Sequence, residues 1–326
     1  MTLPKIPRSV LALAALSVVG VYLFATAPAD LDTTAGGGRD VPVDVMFRML
    51  DAENASVRAI YTAEIVTPGL KNGLKYREDW KQKHVEAGPL PALLLRETAN
   101  RLQQRVPELS LFLGSSFPIE ASNAFKGAQS DYFARIDRSG EPQFFRDAST
   151  GRHTAMFPDI ASAPACVTCH NEHPKSPRKD WKLKDTMGAT TWSFTRDRVS
   201  TQELIEILAA YRASAIDTYA SYLKKTDTFA EASRPELGAR WPRDGRFLPD
   251  LDTFRHRVEE RNSIATLNLL MQARADGERA MARASRDSAA DTAANAAAAE
   301  GHDDQTGKGR NDAERSVASG TAGIAP

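Results

Sequence analysis

The chain contains two cysteines, Cys166 and Cys169, and His170 follows the second directly. Three kinds of chemistry use these residue types at this spacing. A CxxC pair can form a redox-active disulfide, cysteines together with histidines can bind zinc, and the pattern CxxCH attaches c-type haem. The residues around the motif decide between the three.

A redox-active disulfide is disfavoured by the residues on the C-terminal side of the pair. Such cysteines normally lie at the start of a helix, where the helix dipole lowers the pKa of one thiol. Here the sequence continues as NEHPKSP, with two prolines, and no βαβ pattern surrounds the motif. A thioredoxin-like role is therefore not expected.

A zinc site is disfavoured by the spacing of its ligands. Cys166, Cys169, His170 and His173 supply four ligands of the right type. Adjacent Cys169 and His170 are poorly placed to reach one ion, and structural zinc sites normally take their second ligand pair from a distant loop.

Covalent haem uses all three residues of the motif. Two thiols separated by two residues match the two vinyl groups of a porphyrin, with which they form thioether bonds. His170, next to the second cysteine, is then placed as the proximal iron ligand. We therefore predict one haem c, bound through Cys166 and Cys169 and ligated by His170.

The N-terminus predicts export. Lys5 and Arg8 precede an uncharged apolar run over 9–29, about the 20 residues that a membrane-spanning helix needs. The basic flank predicts that the rest of the chain is periplasmic. The run is either an anchor in the inner membrane or a signal peptide cleaved after Ala27-Pro28-Ala29. Export agrees with the haem prediction, because this kind of haem attachment follows export.

Periodicity predicts a mixture of helices and strands. A helix is expected from Pro42 until TPG at 67–69 breaks it, and a second in PLPALLLRETANRLQQRVP. The runs SLFLG, QFFRD and HTAMF predict strands. DWKLKDTMGATTWSFT predicts two strands with a turn near Asp185, the second half-buried because Ala189, Thr191 and Ser193 alternate with other types.

Helical patterns return after the predicted strands. A long helix carries apolar residues from Leu204 to Tyr222 on one face, and RPELGARWPRDGRFLPD predicts a loop. Asp250 then begins another helix, which extends to Leu270. The remaining sequence has almost no large apolar residue and predicts disorder.

These patterns divide the chain into five parts. They are a signal anchor or signal peptide at 1–30, a linker at 31–42, a haem domain at 43–197, a helical extension at 198–273 and a disordered tail at 274–326. The extension either packs on the haem domain or mediates self-association as a homodimer.

The segment CVTCHNEHPKSPRKDWKLKDTMGA resembles the haem-attachment segment of the Tll0287-like (DUF3365) family of c-type haem domains. The upstream NASVRAIYTAEIV, GPLPALLLRETANRL and SSFP are also similar to that family, so the resemblance covers roughly 44–195. It implies an α+β fold, PAS-like, with a small antiparallel sheet, flanking helices and one covalent haem. Family members are mostly extracytoplasmic and are often tethered to signalling modules.

The sixth iron ligand decides between redox and ligand-binding roles, and the sequence leaves it open. A distal cysteine thiolate is excluded, because the chain has no third cysteine. His84 precedes the GPLPA turn, in a region expected to fold over the haem, and is our candidate for the distal ligand; a solvated loop histidine is the alternative. Other histidines and methionines that we considered are His153, His173, Met46, Met49 and Met156.

Three arginines on family-like helices, Arg58, Arg96 and Arg101, are candidates to neutralise the haem propionates. Arginine suits this role because its planar guanidinium forms paired hydrogen bonds with a carboxylate. The alternative for each is a solvated helix face.

We predict a periplasmic single-haem cytochrome domain that senses redox state or a small ligand. Nothing after Thr195 resembles a signalling module, so a separate partner must carry the signal. The alternative is an electron-transfer cytochrome serving an exported oxidoreductase. No Ser/His/Asp set, P-loop or dinucleotide motif in a suitable context predicts an enzyme, and a peroxidase ranks last. Lys plus Arg balance Asp plus Glu at 42 each, which gives no argument for nucleic-acid binding.

Overall fold

The structure is a computed structural model that describes residues 40–241 and 245–269, together with 271, 279, 283 and 286. The predicted signal or anchor segment at 1–30 lies outside the described residues, as do most of the predicted linker and tail. Within the part of the chain that the structure describes, no helix is both long enough and apolar enough to cross a membrane. Described residues up to Asn262 belong to one compact unit, and those from Ser263 onward to a second.

The strands are β1 (Val41–Pro42), β2 (Tyr76–Arg77), β3 (Gly88–Pro89), β4 (Ser110–Gly114), β5 (Gln143–Arg146), β6 (His153–Ile160), β7 (Thr186–Phe194), β8 (Arg198–Val199), β9 (Glu236–Gly238) and β10 (Phe247–Pro249). The helices are α1 (Val43–Ala59), α2 (Thr67–Lys71), α3 (Pro91–Arg105), α4 (Ala128–Ser139), α5 (Pro164–Glu172), α6 (Thr201–Thr226) and α7 over 251–269. A π-helix at Ile60–Val66 joins α1 to α2, and a short 3₁₀-helix covers Ala121–Asn123.

The main sheet has four antiparallel strands in the order β4-β7-β6-β5. Helix α4 packs on one face of it, where Met156 and Ala189 join the buried cluster of Phe133 and Ile136. Helix α1 packs against β6 and β7. The expected α+β class is therefore confirmed, with a small antiparallel sheet and helices beside it.

The central strand β7 departs from its prediction in two ways. It is one strand, because the residues before Thr186 form turns rather than a second strand. It is also buried on both faces rather than half-buried. Trp192 and Phe194 are completely buried, and so is Ala189, which points to the opposite face. The sequence did not indicate this burial, because the alternation of small and hydroxylated residues in β7 is also typical of a strand with one solvated face.

The predicted break at 67–69 is wrong. The chain stays helical through Lys71, although its hydrogen bonding changes. The Thr67 amide donates to the carbonyl oxygen of Thr62, five residues back, and Pro68 has no amide hydrogen to continue the α-helical pattern. The wider π-helical hydrogen-bond spacing before the proline compensates for the bond that Pro68 cannot donate. The helix therefore does not end there.

Helix α6 confirms its predicted apolar face, because Leu204, Tyr211, Tyr219 and Tyr222 are all buried. The Ser200 hydroxyl begins the helix by accepting a hydrogen bond from the Glu203 amide at 3.1 Å. The helix packs along α3 and also contacts α1. Of the two roles considered for this segment, the structure shows packing onto the sheet-containing part of the chain.

The segment predicted as a loop between α6 and α7 contains two short strands. β9 and β10 pair in parallel, with Leu237 opposite Leu248. Helix α7 then begins as predicted, because the Asp250 carboxylate accepts a hydrogen bond from the Thr253 amide at 2.8 Å. Leu270, the predicted last apolar position of this helix, lies outside the described residues.

Candidate functional site

Both cysteines lie on α5, a nine-residue helix that Pro164 begins. The sequence prediction that this segment is not at the start of a helix is therefore wrong. Proline favours the first helical position because its φ angle is preset and its missing amide hydrogen is not needed there. Cys166, Cys169 and His170 stand at i, i+3 and i+4, which places all three on one face of the helix.

The two thiols of α5 are free, and no residue of the helix is fully buried. Cys166 is half-buried beside Trp181 and Met187, whereas Cys169 is exposed. Although the residue as a whole is exposed, partial desolvation of its sulfur raises the pKa of the Cys169 thiol, and the nearby Glu78 carboxylate raises it further. A raised thiol pKa is the opposite of what a nucleophilic redox cysteine needs, so the geometry gives no support to a thioredoxin-like role.

The segment that follows α5 folds back onto it. The Asn171 side-chain amide donates to the carbonyl oxygen of Trp181 at 3.0 Å, and the Trp181 amide donates to Asn171 Oδ1 at 2.9 Å. Trp181 is buried, and the Arg178 guanidinium lies 3.9 Å from the centre of its ring. The DWK part of the family-like segment therefore fixes the position of the helix that carries the CxxCH motif.

His170 stands edge-on to Trp181, with 6.4 Å between the ring centres. Its Nδ1 atom is buried and has no hydrogen-bond partner among the described residues. Burial lowers the pKa of the His170 imidazole, although the Asp159 carboxylate opposes the shift. The lowered pKa favours the neutral ring, which is the form that binds metals.

A charged cluster lies close to His170, between α1 and the sheet. Arg58 Nη2 is 2.7 Å from Asp159 Oδ1, and both side chains are largely buried. In the same cluster, Trp192 Nε1 donates to Asp51 Oδ1 at 3.4 Å. Burial raises the pKa of Asp51 to about 7, although the Trp192 hydrogen bond and the Arg58 charge lower it. Arg58 is thus occupied by a protein carboxylate in this structure.

His84 is exposed in the turn region between β2 and β3. The same connection brings Glu78 Oε1 to 3.6 Å from His173 Nε2, so it contacts the residue that ends α5. The His84 side chain also lies near Asp79, whose carboxyl pKa is lowered mainly by Arg77 and slightly by His84. The structure thus places the loop of His84 beside α5.

The other considered ligands have clear structural surroundings. The three methionines Met46, Met49 and Met156 are buried in the core, and His153 is half-buried at the start of β6. Arg96 Nη2 reaches Asn123 Oδ1 at 3.5 Å, and Arg101 Nη2 donates to Ser221 Oγ at 2.7 Å. Burial in the core is enough to explain why methionines occur at these three positions, without a role in binding a metal.

Comparison of the chain with protein-family models, curated proteins and solved structures finds no match. Across the described residues, no group of three or more His, Cys, Asp or Glu side chains is arranged to hold a metal ion. A covalent haem needs only one such ligand from α5, because its porphyrin supplies the four equatorial nitrogens.

Sequence reasoning missed four members of this site. Asp51 and Trp192 are 141 residues apart, and nothing in either local pattern signals their hydrogen bond. Glu78 lies in an exposed, charged stretch of sequence, where a further carboxylate does not indicate a contact with α5. Asp159 ends an apolar run, and a charged residue at such a position is the one local cue that could have suggested a buried ion pair.

Proposed function

We propose that the chain is a periplasmic c-type cytochrome domain with one haem c, attached through Cys166 and Cys169 and ligated by His170. One observation carries this proposal: the three residues share one face of α5, and both thiols are free. Bound haem would supply one-electron redox chemistry and, at an open axial position, binding of small gases. The four-stranded antiparallel sheet with α1 and α4 beside it supports a PAS-like form of the α+β fold.

The contribution of the chain itself is to hold and shield this face. Trp181 packs beside both Cys166 and His170, and the Asn171 hydrogen bonds fix Trp181 in turn. These contacts set the orientation of the imidazole before any ligand binds. The lowered pKa of His170 keeps its nitrogen lone pair available at neutral pH.

Expression in a host that matures c-type cytochromes, followed by a pyridine haemochrome assay, tests the proposal. We expect one haem per chain, retained through acid acetone extraction. The double variant Cys166→Ser/Cys169→Ser should carry no covalent haem. A colourless wild-type protein, or pigment that acid acetone removes, would refute the proposal.

We propose His84 as the sixth ligand, because its loop contacts α5 through Glu78 and His173. In that case His84→Ala converts a low-spin spectrum into a high-spin one. His256→Ala is the matched control, since His256 is also exposed but lies on α7. An unchanged low-spin spectrum in His84→Ala would eliminate this ligand.

The proposed role is sensing of redox state or a small ligand, without catalysis, through a separate signalling partner. The N-terminal segment, if uncleaved, would hold the domain at the inner membrane. Rapid binding of carbon monoxide to the ferrous protein supports ligand sensing, because it requires a vacant or labile axial position.

Electron transfer is a second candidate, and the exposure of α5 favours it. Cys169 is exposed and no residue of the helix is fully buried, so a porphyrin edge attached there would be accessible to a redox partner. A stable six-coordinate spectrum that carbon monoxide does not change would favour this role over gas sensing.

A further inference from the structure

A cavity of about 370 Å³ lies between α3, α6 and the turn at Trp80. This volume falls at the lower end of the range of small-molecule sites. Its lining combines basic side chains with hydroxyl groups and the buried indole of Trp80. It is formed by residues outside α5 and its neighbouring charged cluster.

The lining of the cavity is strongly basic. Lys81, Arg101, Lys224 and Lys225 contribute four positive charges, and Glu97 contributes one negative charge, which leaves a net charge of +3. The Glu97 carboxylate is already paired with Lys81, at 2.5 Å between Oε1 and Nζ. The remaining three cations therefore share no carboxylate of the lining.

Arg101 is the central observation. Its Nη2 donates to the neutral Ser221 hydroxyl at 2.7 Å, and its Nε is buried with no hydrogen-bond partner among the described residues. Burial of an N–H group without a partner is costly, more so when the group is charged. The guanidinium thus lines the cavity with a positive charge that pairs with no carboxylate of the described residues.

The two neighbouring lysines, Lys224 and Lys225, differ in their hydrogen bonding. Lys225 Nζ donates to the backbone carbonyl oxygens of Gln82 and Lys83, which holds its charge at the cavity without neutralising it. Lys224 is exposed and forms no ion pair with any described residue. One ammonium held by hydrogen bonds and one exposed ammonium therefore line the cavity with the guanidinium.

We propose that this cavity binds a small multivalent oxyanion that carries phosphate or carboxylate groups. Arginine forms paired hydrogen bonds with such groups, and lysine adds point charge. The Ser221 hydroxyl donates to the carbonyl oxygen of Asp217 at 3.0 Å and accepts from Arg101, so it positions the guanidinium at the cavity. A net lining charge of +3 favours a multivalent anion over chloride.

Isothermal titration calorimetry on the full chain tests this proposal, with pyrophosphate and citrate as probes and chloride at matched ionic strength as the reference. We expect saturable binding of at least one probe with one site per chain. Arg101→Gln and Lys224→Gln should each weaken it by about tenfold, since each removes a charge-assisted contact. Arg255→Gln and Lys71→Gln, exposed residues away from the cavity, should bind as the wild type does.

Lys224→Gln keeps the test decisive if Arg101→Gln does not fold, because the Lys224 side chain is exposed. Equal heats for all anions, or unchanged binding in the Lys224 variant, would overturn the proposal. Titration is repeated on the Cys166→Ser/Cys169→Ser variant, which cannot hold covalent haem. Binding there as in the wild type is expected whether or not the chain is a cytochrome. Binding that disappears whenever haem is attached would assign the cavity to the haem propionates and refute a free ligand.

Discussion

Asn171 and Trp181 are joined by two reciprocal hydrogen bonds, one in each direction between the Asn171 side chain and the Trp181 backbone. The pair closes the turn region between α5 and β7. It explains physically why an asparagine directly after CxxCH and a tryptophan ten residues later occur together in this chain. The asparagine side chain satisfies backbone groups that would otherwise be buried without partners.

Replacement of Asn171 tests this closure. Asn171→Ala removes both hydrogen bonds, and we expect a loss of about 1–3 kcal/mol in the free energy of unfolding, measured with urea. Asn171→Asp keeps the acceptor for the Trp181 amide but loses the donor to the carbonyl oxygen, so it should fall between alanine and the wild type. Equal stability of all three proteins would show that the turn is held by other contacts.

The Asp51 carboxyl predicts a pH dependence of stability. Its pKa rises from 3.8 to about 7 on folding, mainly through burial, so the folded protein keeps a proton that the unfolded chain releases. The free energy of unfolding should therefore fall between about pH 4 and 7, by a total on the order of 4 kcal/mol from this group, and level off above pH 7.

Urea unfolding of Asp51→Asn at several pH values measures this contribution. The asparagine oxygen can still accept from Trp192 but does not ionise, so the slope between pH 4 and 7 should be shallower and the variant more stable than wild type at pH 8. Asp137→Asn, a substitution on the exposed side of α4, should leave the slope unchanged. A wild-type slope in Asp51→Asn would contradict the assignment.

Glu53 links α1 to the C-terminal helices. We therefore predict that these contacts contribute to the stability of the fold. The Glu53 side chain is fully buried and accepts from Arg212 Nε at 3.0 Å and from Asn262 Nδ2 at 3.3 Å. Glu53→Ala leaves the Arg212 charge without this partner, and we expect a loss of about 3 kcal/mol in the free energy of unfolding. Glu206→Ala, on the exposed face of α6, is the control and should change it by less than about 0.5 kcal/mol. A loss no larger than that of the control would mean that α6 is held by its apolar face alone.

Local patterns predicted α1, α3, α6, the start of α7 and the four strands of the main sheet, because each of these depends on nearby residues; they did not predict α5 or the short two-stranded pairs. The spacing of Leu204, Tyr211 and Tyr222 is sufficient to define a buried helical face, and Pro91 with Val106 bracket α3. The π-helix before Pro68 escaped prediction because a proline signals a break but not how neighbouring carbonyls compensate.

The residues of the candidate site also divide into those that local sequence predicted and those that only the fold brings together. Cys166, Cys169 and His170 form a contiguous motif, so their placement on one helix face follows from sequence spacing. The ion pair of Arg58 with Asp159 joins residues 101 positions apart, and such pairs have no local signature. Arg58 was identified as a candidate partner for a carboxylate, but only the fold shows that a protein carboxylate lies there.

Gly188 predicts a strict steric requirement where β7 meets β4. A Cβ atom at this position would lie 2.2 Å from the carbonyl oxygen of Gly114, whereas real Cβ atoms do not approach closer than about 3 Å. Backbone oxygen in a paired strand cannot move aside as a flexible side chain does. Gly188→Ala should therefore separate the strands locally and lower the free energy of unfolding by about 1–3 kcal/mol or more.

Gly238→Ala is the matched control, because its added Cβ would meet only the Phe247 ring, at an ordinary 3.6 Å. Urea unfolding of both variants measures the difference, and hydrogen exchange of the β4 and β7 amides locates it. The strand that begins at Thr186 follows directly after the Trp181 turn, so displacement of β7 should also loosen the packing around Cys166. If Gly188→Ala were as stable as Gly238→Ala, the close contact between the two strands would not exist in solution.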